Sequence, residues 1–346
     1  MRALCLTATG GPEHLELLDL PMPELTRPDE VRVGIRAVAL NHLDLWVANG
    51  LREVPIPAFP HVVCGDGAGV VLEVGPGVTE FTVGDRVVVN PGLSCGMCEA
   101  CQAGQEVFCK QFSLLGEHRS GTAGEQVVLP ARNLARLTGD WSWSQAAAFG
   151  LTTLTAWRML TTRAQLRAGE SVLIWGIGGG VALQALQIAR HIGATTIVTS
   201  SSPDKLSRAR ELGADLALDY RDGADIPALV KQHLGSGADV VVDSVGTPTW
   251  QRSCKALRPG GRMVTCGATG GRHVDLDLRR LFWFQWSLLG STMGTRAEFA
   301  EVVELGNAGA LRPVIDTTFP LAEGEAAYRR LADAAQFGKI VLEVGP

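Results

Sequence analysis

The stretch Ser171-Val172-Leu173-Ile174-Trp175-Gly176-Ile177-Gly178-Gly179-Gly180-Val181-Ala182-Leu183 decides how the chain is read. Its first five residues are a short apolar run, as expected of a buried strand. A glycine cluster, 176–180, follows, and 181–192 then carries apolar residues at helical spacing. Such a turn lets backbone N–H groups and the positive end of a helix approach a pyrophosphate. A glycine-rich turn by itself is weak evidence, because ordinary strand–helix turns also use glycine. Context strengthens it. A β-branched strand is expected at 195–199, and Pro203 sits in the first turn of a helix expected at 204–212. Further strands are expected at 216–218, 239–243 and 262–266, with helical stretches between them. Alternating strands and helices imply a doubly wound parallel sheet.

The end of the second strand selects the cofactor. An acid there would bind the ribose 2′-OH of NAD. The chain instead has Ser200, Ser201 and Ser202 followed by Lys205, with no acid before Asp204. Hydroxyls and a cation suit a 2′-phosphate, so NADP(H) is favoured over NAD(H). The competing reading is that Ser202 simply caps the next helix, and one serine can do both.

The first third differs in character. Val31-Arg32-Val33-Gly34-Ile35-Arg36-Ala37-Val38 alternates apolar and polar residues over much of its length, the period of a half-buried strand. Apolar runs at 67–74 and 84–89 flank the turn residues Gly75-Pro76-Gly77-Val78. These features predict a small, strongly bent β-barrel or sandwich. A strand at 339–344 is expected near the other end.

Cys95, Cys98, Cys101 and Cys109 form C-x2-C-x2-C-x7-C within a glycine-rich lobe at 92–112. Such spacing turns successive thiolates back on one ion, and the fourth closes a tetrahedron with Zn–S bonds of about 2.3 Å. Four thiolates leave no open position, so one structural Zn2+ per chain would brace a loop and not touch substrate. An iron–sulfur cluster also takes four cysteines and is the rival reading.

The 346 residues suggest about two domains, with 46% hydrophobic and 19% charged residues, an ordinary globular composition. A formal net charge of -5 gives no support for a nucleic-acid footprint. No apolar run reaches membrane-spanning length, and 1–10 lacks the features of a signal peptide. A cytoplasmic location is therefore expected, where the eight cysteines would stay reduced.

The residues also resemble a family. Val70-Val71-Leu72-Glu73-Val74-Gly75-Pro76-Gly77-Val78 with Val83-Gly84-Asp85-Arg86-Val87 is similar to the barrel core of medium-chain dehydrogenase/reductases. The 95–109 cysteines resemble their structural zinc loop, and Gly179-Gly180-Val181-Ala182 with Gln187-Ile188-Ala189-Arg190 resembles the nucleotide turn of their quinone-oxidoreductase branch. Asp243-Ser244-Val245-Gly246, Gly260-Gly261-Arg262 and Gly338-Lys339-Ile340-Val341-Leu342 match later landmarks. The resemblance implies a GroES-like catalytic domain from 1–150 and 293–346, with a Rossmann domain, 151–292, inserted. It implies cofactor contacts from Thr152, Thr155, Gly178, Gly179, Gly180, Val181, Ser200, Ser201, Ser202, Lys205, Tyr220, Gly267 and Lys339.

The resemblance also points to something missing. Where zinc alcohol dehydrogenases carry a Cys ligand, a Gly-His-Glu motif and a second Cys, this chain has Asn41, Cys64-Gly65-Asp66 and Leu151. Asn41, Asp44 and Asp66 instead look like the zinc-independent reductases. An unconventional second metal site from His42, His61, Cys64 and Asp66 is the alternative. Without a Lewis acid, hydride addition to a conjugated double bond is easier than oxidation of a simple alcohol. The expected activity is hydride transfer to a quinone, enone or related activated carbonyl compound. Asn41 would orient nicotinamide or donate to the developing oxyanion, and Asp44 would hold a hydrogen-bond network or cap a helix. Trp46 stands where related reductases often carry tyrosine. The rivals are an NAD(H)-dependent alcohol dehydrogenase acting on small alcohols or aldehydes, and a non-catalytic nucleotide-binding redox sensor. Trp283, Phe284 and Trp286 would serve a dimer contact, a substrate cleft or plain core. The family implies a homodimer or homotetramer paired through an edge strand near 287–291.

Overall fold

The structure is a computed structural model, and it describes residues 1–50 and 56–345. The chain divides into two compact units, Met1–Leu154 with Gly294–Pro346, and Thr155–Met293. The division falls inside the helix Trp143–Trp157.

The first unit is built on a seven-stranded sheet. Its order runs Leu134–Arg136, Arg86–Val89, Asp66–Val74, Glu30–Ala39, Lys339–Glu343 and Ile315–Pro320, with Gln126–Pro130 also pairing with Glu30–Ala39. Val31, Val33, Ile35, Val38, Val71, Val87 and Val89 are buried in one core. The pairing of Glu30–Ala39 with Asp66–Val74 shifts register at Arg32/Val33 and again at Ile35/Ala37. Such irregularities bend a strand and increase its twist. At the bend the two backbones nearly touch: a Cβ on Gly69 would lie 2.0 Å from the carbonyl oxygen of Gly34. This is the strongly bent β domain that the valine-rich segments call for. The strand expected at 84–89 is shorter, Arg86–Val89. A three-stranded sheet, Leu15–Asp19, Arg2–Leu6 and His61–Val62, packs into the same core.

The second unit is a six-stranded, wholly parallel sheet. Its order is Leu216–Asp219, Thr195–Ser200, Ser171–Ile174, Ala238–Val242, Leu257–Thr265 and Ser287–Gly290. Chain order runs outward in both directions from between Ser171–Ile174 and Ala238–Val242. At such a switch point, helices leave to opposite faces and a crevice opens beyond the strand ends. The helix Gly180–Ile192 buries Leu183, Leu186, Ile188 and Ala189, then stops at Gly193 in the left-handed conformation (φ 88°). Ser202 caps the helix Pro203–Glu211 by accepting the Lys205 N–H at 3.3 Å.

One strand is longer than its sequence suggests. Pro259-Gly260-Gly261 reads as a turn that would start a strand at 262, yet the strand begins at Leu257. The irregularity is taken up by a register shift against Ala238/Val240. Among the described residues no helix is long and apolar enough to cross a membrane.

Candidate functional site

Three separate features carry chemistry. The first is a buried polar network in the first unit. The Asn41 amide follows the strand Glu30–Ala39 and starts the helix His42–Ala48. Its Nδ2 donates to Asp66 Oδ2 at 2.9 Å, and its Oδ1 accepts from Lys339 Nζ at 2.5 Å. Lys339 Nζ also reaches Asp66 Oδ2 at 3.1 Å, and the Leu151 N–H donates to Asp66 Oδ1 at 2.7 Å. Asp66 is 0% exposed, Lys339 4% and Asn41 7%. The Asn41 side chain and the Leu151 backbone thus both turn toward Asp66. The donor set does not fit a zinc ion. Gly65 and Leu151 offer no ligating side chain, and the one amide oxygen of Asn41 is held by an ammonium.

Asp44 caps its own helix, since its Oδ2 accepts the Asn41 N–H at 2.6 Å. Full burial pushes its carboxyl up to about 7, against the pull of that N–H and of Lys339, while Asp66 and Glu117 push it further up. Behind it, Cys64 Sγ lies 3.8 Å from Tyr328 Oη. Burial holds both the Cys64 thiol and the Tyr328 phenol well above their ordinary values, so both stay protonated. Cys64 sits in the left-handed region at φ 67°. Gly121 makes room for it, because a Cβ there would meet the Cys64 carbonyl oxygen at 2.0 Å. Among the described residues His61 is buried apart from any metal-type cluster, and His42 packs edge-on against Trp46.

The second feature is the nucleotide turn of the second unit. Gly176 and Gly178 adopt φ 70° and 143°, and Gly179 is the N-cap of the helix Gly180–Ile192 with no side chain capping it. Nothing lies within 4 Å of a Cβ built on Gly179. The uncovered helix start, which runs on into Val181, fits an anionic pyrophosphate. Ser200 Oγ accepts the Ser202 N–H at 3.1 Å, and the Tyr220 N–H donates to the Ser200 carbonyl at 3.2 Å. Ser200, Ser201, Ser202, Lys205 and Tyr220 thus gather where two neighbouring strands end. Gly267 accepts from Thr265 Oγ1 at 3.0 Å beyond the fifth strand. Thr155 is buried beside Met293, with Oγ1 to Sδ at 3.9 Å.

Two further expected cofactor residues, Thr152 and Lys339, lie in the first unit. Thr152 is buried with its Oγ1 3.4 Å from the Ala148 carbonyl, and Lys339 is committed to Asn41 and Asp66. The aromatic cluster splits. Phe284 and Trp286 stack at 5.1 Å, and Trp286 is buried, while Trp283 is 75% exposed. The network around Lys339 was the part hidden from sequence. A lysine opening an otherwise apolar strand was its one visible signal.

The third feature is the cysteine lobe. The four sulfurs of Cys95, Cys98, Cys101 and Cys109 lie within 4.8 Å of one another, with neighbours at 3.5–3.8 Å. A disulfide would bring two sulfurs to about 2.05 Å. A tetrahedron of bonds of about 2.3 Å has edges of about 3.8 Å, which these separations match. The lobe fits one zinc ion. N–H groups of Met97 and Cys98 pull the Cys95 thiol below its ordinary value, and its coupled neighbour Cys98 moves the other way.

A doubly wound nucleotide unit, a bent β unit and a tetrathiolate lobe together define a nicotinamide-dependent oxidoreductase. Residues 180–308 match the family model described as a zinc-binding dehydrogenase, and 27–139 match that of an alcohol dehydrogenase GroES-like domain. A solved NAD-dependent alcohol dehydrogenase is 45% identical, with a TM-score of 0.96 and 100% of each chain covered. A quinone oxidoreductase from Pseudomonas aeruginosa is 33% identical over 97% of both chains. The spectinabilin polyketide synthase system protein NorB of Streptomyces orinoci is 35% identical over 97% of this chain, which spans only 14% of NorB's length. The chain belongs to the medium-chain dehydrogenase/reductase superfamily, in its zinc-type alcohol dehydrogenase-like and quinone oxidoreductase-like branch, and is an NAD(P)-dependent dehydrogenase/reductase.

Proposed function

We propose that the chain is an NADP(H)-dependent reductase of quinones, enones or related activated carbonyl compounds, working without a catalytic zinc ion. The observation that carries this reading is the Asn41–Lys339–Asp66 network in place of a ligand set. A bound reduced nicotinamide supplies the hydride. Lys339 and Asp66 fix the Asn41 amide, with Nδ2 and Oδ1 both engaged. An amide nitrogen carries two hydrogens. Asn41 therefore keeps one for the oxygen of a conjugated carbonyl, where charge develops as hydride adds. Lys339 and Asp66 pair with each other at 3.1 Å, so the network brings no net charge and serves to hold the amide donor in place. Conjugation spreads the charge, so few donors suffice. Trp46 has no hydroxyl to give, and the proton that completes the reaction comes from water or another group.

The hydroxyls of Ser200, Ser201 and Ser202, with Lys205 and Tyr220, support a 2′-phosphate on the cofactor. The open edge strand Ser287–Gly290 supports pairing with a second copy of the chain. One experiment tests the main reading: NADPH and NADH oxidation across a panel of quinones and enones, with Lys205→Ala as control. NADPH is expected to be preferred, and the preference to shrink in the variant. Equal use of both cofactors, unchanged by Lys205→Ala, would refute the NADP(H) assignment.

The 45% identical NAD-dependent alcohol dehydrogenase favours a second reading, NAD-linked oxidation of small alcohols. Turnover of primary and secondary alcohols with NAD+, and none of the enone panel, would establish it.

A further inference from the structure

The zinc lobe has a charge to manage. A divalent ion held by four thiolates carries a net charge of −2, and Cys101 and Cys109 are buried. Backbone N–H groups point at the sulfurs, from Cys98 to Cys95 at 3.3 Å and from Gln111 to Cys109 at 3.4 Å. These are dipoles and bring no formal charge. Arg296 pairs with Glu106 of the lobe at 2.6 Å, and a second cation, Arg132, lies against the turn of the first ligand. A Cβ built on Gly96, the residue after Cys95, would sit 3.4 Å from Arg132 Cζ, 3.6 Å from Nε and 3.7 Å from Nη1. The guanidinium therefore lies directly over the turn that carries the first ligand.

Arg132 is held there from several sides. Its Nη2 donates to the Ser94 carbonyl at 3.2 Å and its Nη1 to Asp29 Oδ2 at 2.9 Å. It sits on the short turn Ala131–Asn133, and Asn133 Nδ2 clamps the carbonyls of Asn90 and Gly92 at 3.0 and 2.7 Å. The same turn thus grips the chain just where it enters the lobe. Arg132 Nε is buried and has no hydrogen-bond partner, although the side chain as a whole is 25% exposed. A buried donor left without an acceptor carries a cost that calls for a reason.

We infer that Arg132 is a positioning cation of the zinc centre: its guanidinium, laid over Gly96, offsets the charge of the tetrathiolate ion and tightens the grip on zinc. The inference rests on the reading of the four cysteines as one zinc site. Residues that support metal ligands from behind commonly change affinity by roughly 10- to 100-fold when altered. The competing account is that Arg132 merely ties Ser94 to Asp29. The two accounts differ in what Asp29 does. If charge matters, Asp29 partly neutralises Arg132, and removing its carboxylate leaves the zinc held at least as tightly. If the tie matters, breaking it from either end loosens the lobe alike.

The test is competition for zinc between the zinc-loaded full chain and a colorimetric chelator at neutral pH. Arg132→Gln and Arg132→Met are expected to weaken zinc affinity by roughly 10-fold or more. Arg132→Lys, which keeps the charge, is expected to recover most of it, and Asp29→Asn to leave it unchanged or tighter. Affinity within twofold of wild type in both uncharged variants would overturn the inference. So would Asp29→Asn weakening zinc as much as Arg132→Gln, and this arm remains informative even if Arg132→Met does not fold. A wild-type chain that holds no zinc would overturn the zinc centre itself, and this inference with it.

Discussion

Replacing Lys339 by methionine tests the buried network most directly. The ammonium is 4% exposed and its partner carboxylate 0%. Asp66 Oδ2 accepts from Lys339 Nζ at 3.1 Å and from Asn41 Nδ2 at 2.9 Å, while Oδ1 accepts from the Leu151 N–H at 2.7 Å. Methionine fills similar space but leaves the carboxylate with two neutral donors and no counter-charge. Removing one member of a buried ion pair costs about 3–5 kcal/mol, and the two remaining donors place this case near about 3. For a unit of about two hundred residues each kcal/mol moves the melting temperature by about 2–4 °C, so a fall on the order of 10 °C is expected. The decisive variant adds Asp66→Asn. With both charges gone, the penalty for an uncompensated buried charge disappears, and the double variant should recover to within about 1–2 kcal/mol of wild type. Urea unfolding of the zinc-loaded chain, followed by far-UV circular dichroism, measures all three. A loss below about 1 kcal/mol for Lys339→Met, or a double variant no more stable than the single one, would refute the reasoning.

Other perturbations have equally defined outcomes. Asp44 has its carboxyl raised from 3.8 to about 7, so the folded chain holds a proton that the unfolded chain releases. Stability from this group is present below about pH 4 and drains away as pH rises through about 7, by on the order of 4 kcal/mol. Asp44→Asn should therefore gain on wild type as pH rises from 5 to about 8 in a melting series; parallel curves would count against it. Glu30 and Asp239, whose carboxyls are lowered, lose stability toward acid in both proteins and cancel in the comparison. Titrating the thiols with a mercurial should release about one zinc per chain, and Cys101→Ser should arrive with none, by metal analysis. Gly121→Ala drives a methyl to 2.0 Å from the Cys64 carbonyl and 2.3 Å from that of Val63, so soluble yield and melting temperature should both drop sharply.

Repeating local patterns made much of the fold legible in the sequence. The glycine cluster and the spaced apolar runs announce the parallel sheet, and the cysteine spacing announces the lobe, because both are short-range. The strand from Leu257 escaped because Pro259-Gly260-Gly261 has turn chemistry, and the neighbouring strand absorbs it by a register shift. The site was harder to read for a different reason. Asn41 and Asp66 are 25 positions apart, and Lys339 lies 298 from one and 273 from the other. No local pattern encodes a pair so distant. The pairing of Val341 with Ala39 and Leu342 with Val38 carries Lys339 to Asp66, a neighbour that no local pattern announces. Asp44 was poised between cap and site, and the bond to the Asn41 N–H makes it a cap that is also a buried acid.

The strand Lys339–Glu343 lies beside Glu30–Ala39, last but one in the first unit's sheet. A ribosome therefore makes the two parts of that sheet far apart in time. At about 5–20 residues per second, the 273 positions between Asp66 and Lys339 take about 15–55 s to cross. For most of that interval the nascent first unit has neither Ile315–Pro320 nor Lys339–Glu343 to cover its sheet edge, and a carboxylate with no ammonium to meet. The second unit, Thr155–Met293, is continuous and needs nothing made later. It can be complete while its companion waits open, and in that window the unpaired edge at Ala37, Val38 and Ala39 is the surface a chaperone would have to shield.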